Sequence, residues 1–289
     1  MECTLCARRC RVDREAGMTG FCGAPAGMIV SKIMLHPWEE PCFGGKAGAV
    51  FFAGCSLGCV FCQNRDISAA RPLHGAPYSP EQLAAAMLRL VRDGATCIDL
   101  VTPTHFADKI LEALRLVKAD LPVPVLWNTG GYDSPETVRA CAGLVDVFLT
   151  DFKYGTPEFA QRCSRAPDYP HAAAAALAEM FRITGKPQWD GDRLTRGTVI
   201  RHLVLPGGRK DSAAALRLAA DTVPAEDVLL SLMRQYTPDF APADIPALRR
   251  RVTTFEYESV REEAARLGFT NGYAQEKESA SARYTPDWN

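Results

Sequence analysis

Beyond residue 48 the hydrophobic and polar positions alternate between two periods. Short apolar runs recur at AVFFAGC (49–55), CIDLVTP (97–103), VPVLWNTGG (123–131), VDVFLTDFKY (145–154), TVIRHLVLPG (198–207) and VLLSLMRQYTP (228–238). Continuous runs of this length predict strands covered on both faces, the pattern of a parallel sheet. Helical patterns lie between them, and three open on a cap followed by proline: Ser79-Pro80-Glu81, Ser134-Pro135-Glu136 and Thr156-Pro157-Glu158. There the hydroxyl can accept a first-turn N–H, and proline has no N–H to lose. Thr104 stands where it would open THFADKILEALRLV directly from the second strand. Six β-then-α units in series (an α/β chain) imply right-handed crossovers and a parallel sheet, open or curled. Periodicity alone does not separate a partial barrel from a flat, doubly wound sheet, but both bind ligands at the carboxyl ends of their strands. Cys55, Thr102, Asn128, Asp151, Lys153, Arg201 and Gln235 all fall at or just past such an end.

Composition narrows the field. A net charge of −1, from 33 basic and 34 acidic residues, gives no overall attraction to nucleic acid. The longest apolar run, HAAAAALAEMF (171–181), is too short to span a membrane. The first residues, MECTLCARRC, contain no signal-peptide core, so the expected location is the cytoplasm. In that reducing compartment, clustered cysteines read as metal ligands. Eight of the 11 cysteines lie within the first 62 residues. Cys97, Cys141 and Cys163 sit singly in strand or helix patterns and read as core filler, and Cys42 in PCFGG reads as a loop residue. The closing ESASARYTPDWN reads as a loose tail.

The densest group is GCSLGCVFCQN (54–64), with Cys55, Cys59 and Cys62 in C-x3-C-x2-C spacing and no further cysteine before Cys97. A ferredoxin-type cluster would take a fourth cysteine nearby. Three thiolates on a [4Fe–4S] cube leave one iron without a protein ligand, and an open coordination position is where chemistry occurs. A zinc site completed by His36, His74 or Cys42 is the alternative. The spacing, with aromatic Phe61 before the last cysteine, resembles the signature of the radical S-adenosylmethionine (radical SAM) enzymes. Their open iron is chelated by the amino and carboxylate groups of S-adenosylmethionine, and one electron splits the sulfonium to a 5′-deoxyadenosyl radical.

The likeness runs further. CTLCARRC (3–10), VTPTH (101–105), DFKY (151–154), RHLVLPG (201–207) and MRQYTP (233–238) follow in order, and the chain resembles the pyruvate formate-lyase activating-enzyme family, in particular its shorter homologues. The resemblance implies a partial (β/α)6 TIM-type barrel over 49–240, a Cys-rich metal-binding segment over 1–48, and a C-terminal helix and tail over 241–289. It places Asn128-Thr129 and Asp151-x-Lys153 near the carboxylate and ribose of the cofactor, where the family has Asp-Thr and Asp-x-Lys. Arg201 matches a family arginine on the fifth strand. Asn128 removes one carboxylate from the cation site of the activating enzymes. Thr102, Thr104 and His105 stand where the wider superfamily has Gly-Gly-Glu, so a threonine hydroxyl or backbone carbonyl would have to receive the methionine ammonium. From the residues alone, Asp151 and Lys153 also suit a rim ion pair, Thr102 and Thr104 a strand end and cap, and Tyr236 plain core. Arg201 and His202 face opposite ways, so at most one lines the barrel.

Cys3, Cys6, Cys10 and Cys22 form a second set that reaches four and suits a structural zinc or an auxiliary iron–sulfur cluster. The resemblance thus implies an enzyme that cleaves S-adenosylmethionine reductively and abstracts hydrogen from a substrate, with the glycine of a partner protein, another peptide or a small molecule as candidates. The implied electron donor is a flavodoxin or ferredoxin-like protein. The residues also leave open an electron-transfer iron–sulfur protein and a zinc-dependent binding module.

Overall fold

The computed structural model describes residues 2–37, 39–69 and 72–276; the ESASARYTPDWN tail lies outside them. The strands are β1 (Met28–His36), β2 (Ala47–Phe52), β3 (Ala76–Tyr78), β4 (Cys97–Val101) and β5 (Val125–Thr129). They continue with β6 (Val147–Asp151), β7 (Gln188–Asp190), β8 (Arg193–Leu203), β9 (Leu229–Met233) and β10 (Gly272–Ala274). The six runs expected from the apolar pattern are β2, β4, β5, β6, β8 and β9. They pair in that order, each parallel to the next. Four further strands, which the pattern did not signal, join them. β1 pairs antiparallel with β2 and β3, β7 pairs antiparallel with β8, and β10 pairs parallel with β9. The edge strands are only three residues long, so they carry too little periodicity to be seen in sequence.

The sheet is a partial TIM-type barrel, with helical crossovers on its outside. After a single turn α1 (Arg65–Ser68), the crossovers are α2 (Pro80–Arg92), α3 (Ala107–Val117), α4 (Pro135–Ala140), α5 (Pro157–Ser164) with α6 (Tyr169–Thr184), and α7 (Arg209–Thr222). α8 (Thr254–Arg266) follows β9. The expected caps form: Ser79, Ser134 and Thr156 each accept the backbone N–H three residues on. Thr104 begins a 3₁₀ turn rather than capping a helix, because its hydroxyl is used elsewhere.

Alternation along each strand sorts the side chains into two sets. Val50, Phe52, Ile98, Leu100, Trp127 and Phe148 pack outward against the helices. Ala47, Cys97, Leu126, Val147, Val199 and Leu229 form a second apolar cluster on the inner face. Two or four residues further along the same face stand Asp99, Asn128, Asp151, Arg201 and Ser231. The inner face is therefore an apolar plug below and a polar wall above. Arg201 points inward. His202 points outward, where its Nδ1 pairs with the Phe152 carbonyl at 2.6 Å and burial lowers its pKa to about 4. Cys97, Cys141 and Cys163 are fully buried core residues, and Cys42, in a 3₁₀ turn, is buried too.

Asp133 ties the ends of β4 and β5 together. It is fully buried and accepts from Thr129 Oγ1 (2.6 Å), Thr104 Oγ1 (2.8 Å) and Trp127 Nε1 (3.1 Å). Asp133→Ala removes the acceptor of three buried donors; Thr104 and Thr129, 3.1 Å apart, can pair with each other, which leaves two donors unpaired, at about 1–3 kcal/mol each. The expected loss of unfolding free energy is about 2 kcal/mol or more by denaturant titration. A loss below about 1 kcal/mol would mean that these donors re-pair locally.

Candidate active site

The carboxyl ends of the strands surround one cavity of about 700 Å³. Its lining includes Cys55, Cys59, Phe61, Cys62, Thr102, Asn128, Thr129, Asp151, Lys153 and Arg201, together with Gln235 and Tyr236. Residues 37, 39–41 and 272–275, from opposite ends of the strand order, line it as well, so the sheet curls around it. Thr104 is not among the lining residues; it is buried in the Asp133 network. Thr102 reaches the cavity from a left-handed backbone (φ 59°), a conformation costly for a β-branched residue and typical of functional loops.

The cysteine loop follows β2. Gly54 precedes it with φ 87°, and a β-carbon there would come within 2.6 Å of the Cys22 carbonyl oxygen, so only glycine lets the two segments touch. The sulfurs receive hydrogen bonds: Leu57 N–H to Cys55 (3.4 Å), Ser164 Oγ to Cys59 (3.0 Å) and Tyr154 OH to Cys59 (3.6 Å). Ser68 Oγ lies 3.4 Å from Cys62. Burial raises the pKa of Cys55 and pushes Cys62 up to about 12, with neighbouring thiols adding to both. A buried thiol gives up its proton when a cationic centre replaces it, which an iron cluster does. Ser164 carried no signal in sequence, and DFKY gave Tyr154 no role at the thiols, because that role exists only once α5 is packed under the loop.

Opposite the loop, Lys153 pairs with Asp151. Burial works against its charge, but Asp151 and then Cys59 and Cys62 outweigh burial and raise its pKa. The buried Tyr169 hydroxyl accepts from Lys153 N–H (2.9 Å) and lies 2.9 Å and 3.0 Å from the Gly130 and Asp151 carbonyls, fixing the turn that presents both side chains. At Gly131 (φ 76°) a β-carbon would meet the Asp151 carbonyl oxygen at 2.2 Å. Arg201 stands 3.3 Å from Glu40, 3.8 Å from Asp151 and 3.9 Å from Glu39. Asn128 Nδ2 donates to Asp99 at 3.2 Å. Glu39, Glu40 and Asp99 belong to no motif read above; the pairing of distant strands is what assembles them.

The N-terminal cysteines lie outside this cavity and near one another. Burial raises Cys3 and pushes Cys6 to about 12, with the other thiols of the set adding to each. Arg14 joins the set to the barrel, donating to Cys22 Sγ (3.4 Å) and the His105 carbonyl (2.5 Å). Arg8 spans the junction with the active loop. Its guanidinium donates to the carbonyls of Ser56 (2.9 Å), Leu57 (3.3 Å), Ser164 (2.9 Å) and Arg165 (2.6 Å), and it lies over Phe21, 3.9 Å from the ring centre. Among the described residues, no three His, Cys, Asp or Glu side chains are placed to hold a single metal ion; cluster thiolates bind separate irons instead.

A model of the radical SAM superfamily matches residues 49–214, more than half of the chain. The chain belongs to the radical SAM superfamily. It is also 30% identical over 268 residues, 90% of its length, to a protein of Methanocaldococcus jannaschii described as uncharacterized, of which it covers 73%. Membership implies a [4Fe–4S] cluster, S-adenosylmethionine and a source of reducing electrons, and the half-buried, hydrogen-bonded thiols in a roomy cavity fit that requirement. No helix among the described residues is long and apolar enough to cross a membrane. Hydrogen bonds to cluster sulfurs stabilise the reduced state. Ser164→Ala in this radical SAM domain is therefore expected to shift the cluster's midpoint potential to a more negative value, read by a redox titration followed by paramagnetic resonance. An unchanged midpoint would mean that Ser164 serves packing alone.

Proposed function

We propose that this chain is a radical SAM oxidoreductase of the pyruvate formate-lyase activating-enzyme type, abstracting hydrogen from a substrate that enters the cavity above Arg201. The observation that carries this is the meeting of the three-thiol loop with Asp151, Lys153 and Arg201 in one enclosed space. Cys55, Cys59 and Cys62 would hold the [4Fe–4S] cluster. Bound there beside S-adenosylmethionine, that cluster would supply the electron for reductive cleavage of the sulfonium. The chain's own residues bind and orient. Lys153, held charged by Asp151, is placed to take a carboxylate, and Asp151 to accept from a ribose hydroxyl. Thr102, Asn128 and Thr129 line the neighbouring wall, Phe61 packs edge-on to Tyr236 (6.1 Å between ring centres), and the apolar plug below excludes water. A glycine in a partner protein is the substrate class that the activating-enzyme resemblance favours, with a flavodoxin or ferredoxin-like donor. Cys3, Cys6, Cys10 and Cys22 would hold a second group, zinc or iron–sulfur, beside the loop that Arg8 clamps.

After anaerobic reconstitution and reduction, the protein is expected to convert S-adenosylmethionine to 5′-deoxyadenosine and methionine, measured by chromatography. Single alanine replacements of Cys55, Cys59 or Cys62 should abolish both the conversion and the visible absorbance of the cluster. Cleavage surviving in the triple variant would overturn the assignment.

Lys153→Met keeps the apolar stem and removes the charge. A charge-assisted hydrogen bond is worth about 1.5–3 kcal/mol, so affinity for S-adenosylmethionine should fall about ten- to a hundredfold, with the cluster spectrum unchanged. An unaltered titration midpoint would reduce the Lys153–Asp151 pair to a rim contact. In the variant lacking Cys55, Cys59 and Cys62, elemental analysis should still find zinc or iron bound by the N-terminal set; a folded, metal-free protein would refute that second site.

A further inference from the structure

The reading above gives work to the cysteine loop and to the Asp151–Lys153 pair, and leaves one wall of the cavity without a role. Glu39 and Glu40, in the connection from β1 to β2, line that wall, and Asp99 of β4 lies behind it. Their burial is deep: the Glu40 side chain is 7% exposed, that of Glu39 10%, and Asp99 is wholly inside. With Asp151 they make four carboxylates facing two cations, Lys153 and Arg201. Lys153 is engaged by Asp151. Every contact of Arg201 with a carboxylate is 3.3 Å or longer, beyond the roughly 2.7–2.9 Å of a charge-assisted hydrogen bond. His36, whose pKa burial and then Arg201 lower, adds no positive charge.

One atom turns this surplus into a site. Oε2 of Glu40 is buried at the cavity with no hydrogen-bond partner, and Oδ1 of Asp99 is likewise without one. Leaving such oxygens desolvated and unpaired is costly, and each such case calls for an explanation. Burial, and then Asp99 and Glu40, push Glu39 well above the usual carboxylate range; burial pushes Asp99 to about 7 despite Asn128 and Arg201. A proton on Glu39, within hydrogen-bonding reach of both neighbours, holds the place of a missing cation.

We propose that Glu40, supported by Glu39 and Asp99, is the subsite for a cationic nitrogen of the substrate, an ammonium or guanidinium group on an alkyl stem. The stem has matching surface: Phe51, Val101, Leu203 and Met233 line the same cavity. The proposal rests on the cavity being the radical SAM active site, and it names the substrate class that site selects.

The test uses the reconstituted holoprotein and simple probes: n-butylammonium, n-butylguanidinium, 1-butanol as the neutral counterpart, and potassium chloride as the ionic control. Binding is followed by calorimetry and by the shift in thermal unfolding. The expected result is saturable binding of one or both organic cations, with 1-butanol and potassium chloride at least about tenfold weaker, and a further loss of about tenfold or more in Glu40→Gln. Organic cations that bind no better than 1-butanol or potassium chloride would overturn the subsite. So would unchanged affinity in both Glu40→Gln and Asp99→Asn. The comparison among probes is made on the wild-type protein, so it decides the matter even if a variant does not fold. Cleavage of S-adenosylmethionine is assayed on the same preparation. Cleavage without discrimination between probes overturns the subsite alone, and discrimination without cleavage supports the subsite while overturning the enzymatic reading.

Discussion

Parallel strand pairing is the constraint on which the rest of this molecule depends. When neighbouring strands run the same way, all of their carboxyl ends emerge on one edge, and whatever the sequence places there is delivered to one space. The register does this residue by residue. Val101 lies opposite Asn128, Asp151 opposite Arg201, and Arg201 opposite Ser231. Residues separated by as many as 50 positions in the chain, as Asp151 and Arg201 are, become lateral neighbours at strand spacing. Curling of the sheet then closes the space from the sides, bringing the β1–β2 connection against β8 and β10.

Within that space the dominant physics is the cost of burying charge. An ionised side chain removed from water needs a partner of opposite sign or a set of hydrogen bonds. Lys153 and Asp151 meet the requirement for each other, and the backbone that carries them is held by Tyr169. Buried Asp133 meets it with three donors and makes the ends of β4 and β5 rigid. The wall of Glu39, Glu40 and Asp99 does not meet it. A radical enzyme gains from such an arrangement, because a substrate that supplies the missing charge is held by enclosed, preorganised groups before any reactive species forms.

The N-terminal segment is joined to this chemistry by direct contact. Arg8 binds four carbonyl oxygens, two on the cysteine loop and two at the end of α5, so loop and helix are fixed relative to each other by one guanidinium. Its five donors in a rigid fork suit that task, and lysine could not satisfy it. Ser164, whose carbonyl Arg8 holds, also donates its hydroxyl to Cys59. A group bound by Cys3, Cys6, Cys10 and Cys22 would therefore bear on the position of the thiols in the active loop through a short chain of contacts.

The sequence by itself determined what depends on short range. Apolar runs and Ser-Pro or Thr-Pro caps specified six strands and the starts of three helices, because periodicity and capping act within a turn or a pleat. The spacing of Cys55, Cys59 and Cys62 singled out the three-thiol loop, and the two-residue step from Asp151 to Lys153 put both on one face. Only the tertiary structure decided which threonine reaches the cavity: Thr102 does, while the hydroxyl of Thr104 is taken by Asp133, 29 residues on and adjacent only after β4 and β5 pair. It also decided the company of Arg201. The carboxylates around it come from a loop before β2, from β4 and from β6, and of these only Asp151 was singled out in sequence, while Glu39, Glu40 and Asp99 look like ordinary acids there. Their meaning comes from burial, and burial is a property of the folded sheet, with no counterpart in any local pattern of residues.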